Sequence, residues 1–272
     1  MLAPKTALAL WLAAIMPAAA SPTLRILHFF GTPPADGTYP DADLVADAAG
    51  DLIGVTQQGG PNYGGTIFSL APDGTYKIVF AFSDGNDGAT PLDRVTLDAS
   101  GNIYGTTVNG GAHHFGVAFR IDGAGHETVL HAFTGGSDGG YPQSAPILDD
   151  AGNLYGATSQ SSAAGTVYRI AASGAFTVLH EFTGPDGAAP LCRLLRDATG
   201  NLFGTTATGG ALGQGTVFRL APDGTLTTLI SATSLLEDNQ PRAGLIRDAA
   251  GNLYGTGSGS YVDGGALFKI IP

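Results

Sequence analysis

Cysteine, tryptophan and charged side chains are scarce in this sequence, and each shortage excludes something. Cys192 is the only cysteine, so no internal disulfide can form and the fold must be held by its core. Trp11, the only tryptophan, lies in the first 20 residues. Only 13% of the residues are charged, and the formal net charge is -11. So acidic a chain is a poor partner for nucleic acid or an anionic membrane.

The first 20 residues have the pattern of a secretory signal peptide. Lys5 is their only charge, residues 7–16 form a short apolar run, and residues 18–20 are alanines that suit a cleavage site. An uncleaved anchor is the alternative, but the run is shorter than the roughly 20 residues of a spanning helix. We therefore predict a secreted or periplasmic protein, residues 21–272, with no membrane insertion after signal removal and no C-terminal anchor.

A motif of the form Gly-Asn-Leu-Tyr-Gly-Thr organises the rest of the chain. Variants of it begin at five glycines: Gly50, Gly101, Gly152, Gly200 and Gly251. A proline precedes each of them by about ten residues, and the period of about 50 residues is typical of a propeller, solenoid or array. The predicted repeats begin near these prolines: Pro40, Pro91, Pro142, Pro190 and Pro241.

Each repeat has four short apolar runs separated by Gly, Pro and Asp, and no helical periodicity, which predicts an all-β fold. The fifth repeat stops after its third run. Its missing fourth strand is predicted to be residues 24–30, which resemble residues 129–133 and 178–182. The expected architecture is a single monomeric five-bladed β-propeller over residues 21–272, with the last blade closed by the N-terminal strand.

The motifs also carry a family resemblance. Asp-x-x-Gly-Asn-Leu-Tyr-Gly-Thr-Thr, Gly-Thr-Val-Phe-Arg-Leu, Pro-Asp-Gly, Leu-His-x-Phe and Asp-Gly-x-x-Pro together resemble the GloVer tandem repeat family of exported bacterial proteins. The resemblance covers about residues 24 to 272. It implies an exported, propeller-like repeat protein and no particular activity or cofactor.

Residues that recur in every repeat are best explained by geometry that every blade shares. We predict that one aspartate per repeat holds a hairpin turn, that one glycine per repeat lets a neighbouring backbone or aromatic ring approach closely, and that three histidines pack or hydrogen-bond. Asp-Gly pairs ahead of the prolines are expected to form turns, with bound Ca²⁺ as the alternative. These residues are Asp47, Asp98, Asp149, Asp197 and Asp248; Gly54, Gly105, Gly156, Gly204 and Gly255; His28, His131 and His180; and Asp36, Asp87, Asp138 and Asp186.

Positions that change from repeat to repeat are the candidates for a ligand site. In a propeller the loops after the second and fourth strands meet on one face, where ligands usually enter. The predicted ligand-binding rim on that face consists of Asp41, Asp43, Asn62, Tyr63, Asp93, Arg94, His113, His114, Gln143, Arg193, Arg242, Tyr261 and Asp263. A solvated loop surface is the alternative reading. We expect no metal site, since structural metal sites need more convergent ligands.

Three classes of function remain open. The first is a non-catalytic binding module for carbohydrate or another envelope polymer or protein, with Tyr39, Tyr63, Tyr141 and Tyr261 as aromatic platforms. The second is a polysaccharide hydrolase or lyase that uses Asp43 and Asp93, although Glu127, Glu181 and Glu237 offer no obvious general acid. The third is a structural or protein-interaction ring without a small ligand.

Overall fold

Short antiparallel sheets follow one another along the chain. The computed structural model describes residues 24–31, 36–160, 164–232, 240–258 and 265–271, and these contain strands and turns but no helix. Two small strands, β1 (Gly37–Thr38) and β4 (Gln58–Gly59), pair with each other. The remaining strands form five sheets, which are numbered here in chain order.

Sheets one to four each contain four strands in chain order. Sheet one has β2 (Val45–Ala46), β3 (Leu52–Thr56), β5 (Thr66–Leu70) and β6 (Tyr76–Ala81). Sheet two has β7 (Thr96–Leu97), β8 (Ile103–Thr107), β9 (Val117–Ile121) and β10 (Glu127–Ala132). Sheet three has β11 (Ile147–Leu148), β12 (Leu154–Thr158), β13 (Thr166–Ile170) and β14 (Phe176–Glu181). Sheet four has β15 (Leu195–Arg196), β16 (Leu202–Thr206), β17 (Thr216–Leu220) and β18 (Leu226–Ser231).

Sheet five differs from the other four. Its strands β20 (Ile246–Arg247), β21 (Leu253–Ser258) and β22 (Ala266–Ile270) match the first three strands of the other sheets, while β19 (Gln240–Pro241) pairs with the end of β21. No described strand pairs with the outer side of β22. Leu267 on β22 is accordingly 79% exposed.

Residues 24–31 form no strand, contrary to the prediction for residues 24–30. A segment is assigned as a strand only when it makes ladder hydrogen bonds with a neighbour, and this segment has no such partner. Its side chains Leu24 and Phe29 are 96% and 73% exposed. Backbone pairing of this segment therefore does not close a five-bladed ring in this structure.

Hairpin turns between the first two strands of each sheet are built by the recurrent aspartates, as predicted. The Asp98 carboxylate accepts hydrogen bonds from the backbone N–H groups of Ser100 and Asn102, at 2.8 and 2.9 Å. Asp149 and Asp197 repeat these bonds two and four residues ahead. Side-chain to backbone bonds of this kind fix tight turns.

Consecutive sheets pack face to face through aromatic side chains. Phe82, which follows sheet one, contacts Phe119 of sheet two with ring centroids 5.2 Å apart. The same contact recurs from Phe133 to Tyr168 and from Phe182 to Phe218, each at 5.2 Å. The six side chains are buried, and burial of each stabilises the fold by about 1.5–3 kcal/mol. Ala232 takes the equivalent place between sheets four and five, beside a cavity of about 200 Å³.

The recurrent glycines accept these aromatic rings, as predicted. A methyl group built on Gly105 would lie 2.4 Å from the Phe119 ring, and one on Gly204 would lie 2.6 Å from the Phe218 ring. Gly54 and Gly255 face Phe68 and Phe268 in the same way. Any larger residue would push the ring out of its packed position, so the motif is a packing device.

Candidate functional site

The loops that were predicted to share one face do meet. Isolated backbone bridges join Ala89 to Asn109, Gly140 to Gln160 and Ala188 to Thr208. In each case a loop that leaves one sheet for the next is bonded to the loop between the second and third strands of that next sheet. The recurrent prolines follow these loops and lead into the first strands of the sheets.

A cavity of about 700 Å³, named the central cavity here, lies among the starts of these first strands. Six of the predicted rim residues line it, and they come from all five repeats: Asp43, Asp93, Arg94, Gln143, Arg193 and Arg242. The position three residues after each proline helps to leave room for this cavity. Three repeats have Asp43, Arg94 and Arg193 there, whereas the other two have the small residues Ala145 and Gly244. The positions at which the repeats differ most therefore converge.

Arg193 reaches across this cavity. It extends from sheet four towards sheet two, where its Nη2 lies 3.4 Å from the Oγ1 of Thr96. It also lines a second cavity of about 700 Å³ beyond it, beside Asp98 and Asp149. The Nε of Arg193 is buried and has no hydrogen-bond partner among the described residues. Burial lowers the pKa of Arg193, as does the positive charge of Arg94, while Asp93 and Asp43 oppose the shift.

The two candidate catalytic carboxylates line the same cavity but differ in their bonding. One oxygen of Asp93 accepts the N–H of Arg94 at 2.7 Å, and the other accepts the N–H of Ala145 at 2.8 Å. Both carboxylate oxygens of Asp93 are thus engaged with backbone groups of two neighbouring repeats, an arrangement that suits a structural role. No described group forms an ion pair with Asp43, which leaves its carboxylate available to a ligand.

Other predicted rim residues lie elsewhere. Tyr63 and His114 line a separate cavity of about 400 Å³ among the loops of sheets one and two. Asn62 donates to the backbone oxygen of Ala81 at 3.2 Å, His113 is exposed, and Asp41 lies 3.5 Å from the Gln57 amide. Tyr261, Asp263 and Glu237 lie outside the described residues.

The Asp-Gly carboxylates are used within their own loops. Nε2 of His131 lies 3.0 Å from Asp138, and His180 makes the same contact with Asp186 at 2.8 Å. Each aspartate also accepts a backbone N–H, from Thr134 or Thr183. The predicted hydrogen-bonding role of these histidines is thereby confirmed. Within the described ranges, no group of three or more His, Cys, Asp or Glu side chains is arranged to hold a metal ion.

Two arginines of structural importance were missed by sequence reasoning. Arg196 and Arg247 lie directly before the recurrent aspartates and form ion pairs with the aspartate of the preceding sheet, Asp149 and Asp197, at 3.8 and 3.7 Å. Arg247 also lines the central cavity. Their position before the aspartate was visible in the repeats, where the other three supply Ala46, Leu97 and Leu148.

Glu127 is the described glutamate with the most unusual environment. Its Oε1 is buried without a hydrogen-bond partner among the described residues. Burial, with a smaller effect of the nearby Asp87 charge, raises the pKa of Glu127 to about 8. Glu127 does not line the central cavity, so it cannot serve as the general acid opposite Asp43 there.

Solved structures with the same fold share little sequence with this chain. The extracellular domain of a putative one component system from B. thetaiotaomicron is 14% identical with a TM-score of 0.59, over 86% of this chain and 28% of that chain. A putative 6-phosphogluconolactonase from Bacteroides uniformis is 16% identical with a TM-score of 0.54, over 86% and 71%. A putative gluconolactonase is 15% identical with a TM-score of 0.54, over 88% and 79%. At such low identity these similarities support a propeller-like all-β fold alone.

Sequence comparison gives a family. No curated protein matches the chain significantly, and among the described residues there is no helix long and apolar enough to cross a membrane. A model of the Gloeobacter/Verrucomicrobia repeat matches residues 14–164 and again residues 136–272. These matches include all the recurrent motifs described above. The chain belongs to the Gloeobacter/Verrucomicrobia repeat family.

Proposed function

We propose that this protein is an exported, non-catalytic binding module that holds a carbohydrate ligand in the central cavity. The observation that carries the proposal is the convergence of variable residues. Side chains that recur in the repeats hold turns and packing, whereas those that differ, among them Asp43, Gln143 and Arg193, line one cavity of about 700 Å³. Ligand sites in proteins commonly have volumes of about 300–1,000 Å³.

Export and ring closure are parts of the same proposal. The leader-like first 20 residues support export. Closure is supported by side chains of residues 24–31, because His28 bonds to Asp36 at 3.0 Å and stacks on Tyr76 at 3.8 Å. His131 makes the same pair of contacts, with Asp138 and with Phe176 at 3.7 Å.

The segment thus contacts sheet one as a fourth strand contacts the sheet that follows it. Phe30 lies 5.0 Å from Phe68, close to the spacing of the other inter-sheet aromatic pairs. In the proposed closed form, residues 24–30 add to the free side of β22 and complete a ring of five blades. Pairing there would cover an unprotected sheet edge, which natural proteins rarely leave exposed.

Filling the cavity tests the binding function. Gly244 lines the cavity and has a backbone that other residues tolerate, and the nearest atom to an added methyl group is the Arg193 carbonyl oxygen at 3.4 Å. Gly244→Leu is expected to place a side chain in the cavity without disturbing the fold. Gly123→Leu is the matched control, because a methyl group on Gly123 would meet nothing within 4 Å.

Binding of both variants is measured on an array of neutral and acidic glycans. The proposal predicts that wild type and Gly123→Leu bind the same glycans and that Gly244→Leu loses them. Absence of binding by the wild type to every glycan would refute the carbohydrate function. Equal binding by Gly244→Leu would move the site away from the cavity.

A polysaccharide hydrolase or lyase is the second candidate, because Asp43 and Asp93 line the same cavity. The backbone bonds to Asp93 weigh against it, since both of its carboxylate oxygens already accept backbone N–H groups and hold two repeats together. Reducing-end release from the bound glycan, abolished by Asp43→Asn, would favour the enzyme. Unchanged glycan after prolonged incubation would favour the binding module.

A further inference from the structure

The central cavity carries positive charge in a protein whose overall charge is strongly negative. Of the 12 basic residues in the chain, four arginines line this cavity: Arg94, Arg193, Arg242 and Arg247. Opposed to them are Asp43 and Asp93 in the cavity and Asp197, which pairs with Arg247. The four arginines therefore exceed these three aspartates by one positive charge.

Three of these arginines have no ion pair within the part of the chain that the structure describes: Arg94, Arg193 and Arg242, the last of which donates to the side-chain oxygen of Gln240. Arg196 and Arg247 pair with aspartates of neighbouring sheets, but no described carboxylate lies within ion-pair distance of Arg94 or Arg193. The two guanidinium groups are near enough for Arg94 to disfavour the charge on Arg193. Two positive charges close together in a partly buried cavity destabilise the protein unless an anion binds between them.

The lining also indicates how a ligand would be recognised. None of the residues that line the cavity is aromatic, so a neutral sugar would find no ring to stack on. Guanidinium groups bind carboxylates through paired, charge-assisted hydrogen bonds. The carboxylate of Asp43 and the amide of Gln143 beside them accept hydrogen bonds from hydroxyl groups. A ligand with one carboxylate and several hydroxyl groups satisfies both sets of partners.

We propose that the ligand is an acidic saccharide of the uronic acid class, whose carboxylate is bound between Arg193 and Arg94 while its hydroxyl groups donate to Asp43 and Gln143. This inference rests on the proposed function, since it names the chemistry of a ligand for the same cavity. One excess positive charge matches a singly charged carboxylate.

Titration calorimetry with three probes tests the inference. Trigalacturonate carries the carboxylates, its fully methyl-esterified form has the same skeleton without charge, and triglutamate carries carboxylates on a peptide. The protein variants are Arg193→Gln and Arg94→Gln, each of which removes one guanidinium group. Arg219→Gln is the control, because Arg219 lies outside the cavity and contacts Thr227 at 3.4 Å.

We expect trigalacturonate to bind the wild type and the ester to bind at least about tenfold more weakly, since hydrogen bonds between charged groups are stronger than those between neutral groups. Each cavity variant should weaken trigalacturonate binding by a similar factor, with Arg219→Gln unchanged. Should Arg193→Gln fail to fold, Arg94→Gln alone carries the comparison.

Three results would overturn the inference. Equal affinity for the acid and the ester would leave the saccharide-binding function intact and remove the anionic ligand. Tight binding of triglutamate alone would assign the site to an acidic peptide. Binding of no glycan on the array would refute the proposed function, and the inference would fail with it.

Discussion

The hydroxyl group of Tyr168 is expected to destabilise the protein, and its removal gives a quantitative test of the repeat packing. Tyr168 is fully buried between sheets two and three, and its hydroxyl has no hydrogen-bond partner among the described residues. The other four sheets have phenylalanine at this position: Phe68, Phe119, Phe218 and Phe268. Burial also raises the pKa of Tyr168, so the group stays neutral.

The ring itself occupies the same place as those phenylalanines. A methyl group built on Gly156 would lie 2.5 Å from the Cζ of Tyr168, against 2.4 Å for Phe119 and 2.6 Å for Phe218. Tyr168→Phe therefore removes an unpartnered polar group without moving the ring. A buried hydroxyl without a partner costs about 1–3 kcal/mol, and in a protein of this size each kcal/mol shifts the melting temperature by roughly 2–4 °C.

Thermal and urea unfolding of Tyr168→Phe measure the effect, with the reverse change Phe218→Tyr in sheet four as the matched variant. We expect Tyr168→Phe to be more stable than the wild type and Phe218→Tyr to be less stable, by similar amounts. A Tyr168→Phe protein less stable than the wild type would show that the hydroxyl is hydrogen-bonded, and would refute the packing described for this interface.

Three further predictions concern the glycines, the N-terminal segment and acid stability. Gly156→Ala should destabilise the fold by about 1–3 kcal/mol, since its methyl group would overlap a packed ring; the same change at Gly123, where the space is open, should cost much less in urea unfolding. Deletion of residues 21–31 should lower the melting temperature sharply by removing the contacts made by His28 and Phe30, and a deletion variant that melts like the parent would argue against closure. Burial alone would raise the pKa of Asp149, but the hydrogen bonds to it outweigh this and lower the pKa below its usual value. The stabilisation by Asp149 is therefore complete above the unfolded pKa of about 4 and is lost as the pH falls below it. The melting temperatures of the wild type and Asp149→Asn should accordingly converge between about pH 5 and pH 2. The control variant Asp150→Asn should melt close to the wild type over the same range.

Much of the scaffold could be predicted because the same sequence pattern recurs in each repeat. The turn aspartates, the ring-accepting glycines and the histidines next to the Asp-Gly loops were assigned correctly, since local chemistry and recurrence agree on them. The strand predicted at residues 24–30 was wrong in this structure, because pairing depends on a distant partner, β22, and apolar character alone does not supply one.

The candidate site was predicted only in part, for a geometric reason. Residues just before the first strands, such as Asp43 and Arg193, have positions fixed by the repeat, and they line one cavity. Tyr63 and His114 lie on loops and have left-handed backbone conformations, with φ of 66° and 64°. This conformation is uncommon for residues other than glycine, so the sequence does not predict it. Their side chains consequently line a different cavity. Arg247 was not among the predicted rim residues, because these were taken from the residues directly after the prolines, and Arg247 is at the end of β20.

A co-crystal structure of the protein with trigalacturonate tests the central claim most directly, namely that function lies in the cavity where the repeats differ. The account predicts a galacturonate unit in this cavity, with its carboxylate oxygens within about 3 Å of the guanidinium nitrogens of Arg193 and Arg94. Ligand density on the outer strands, or a cavity left empty at saturating ligand, would contradict it.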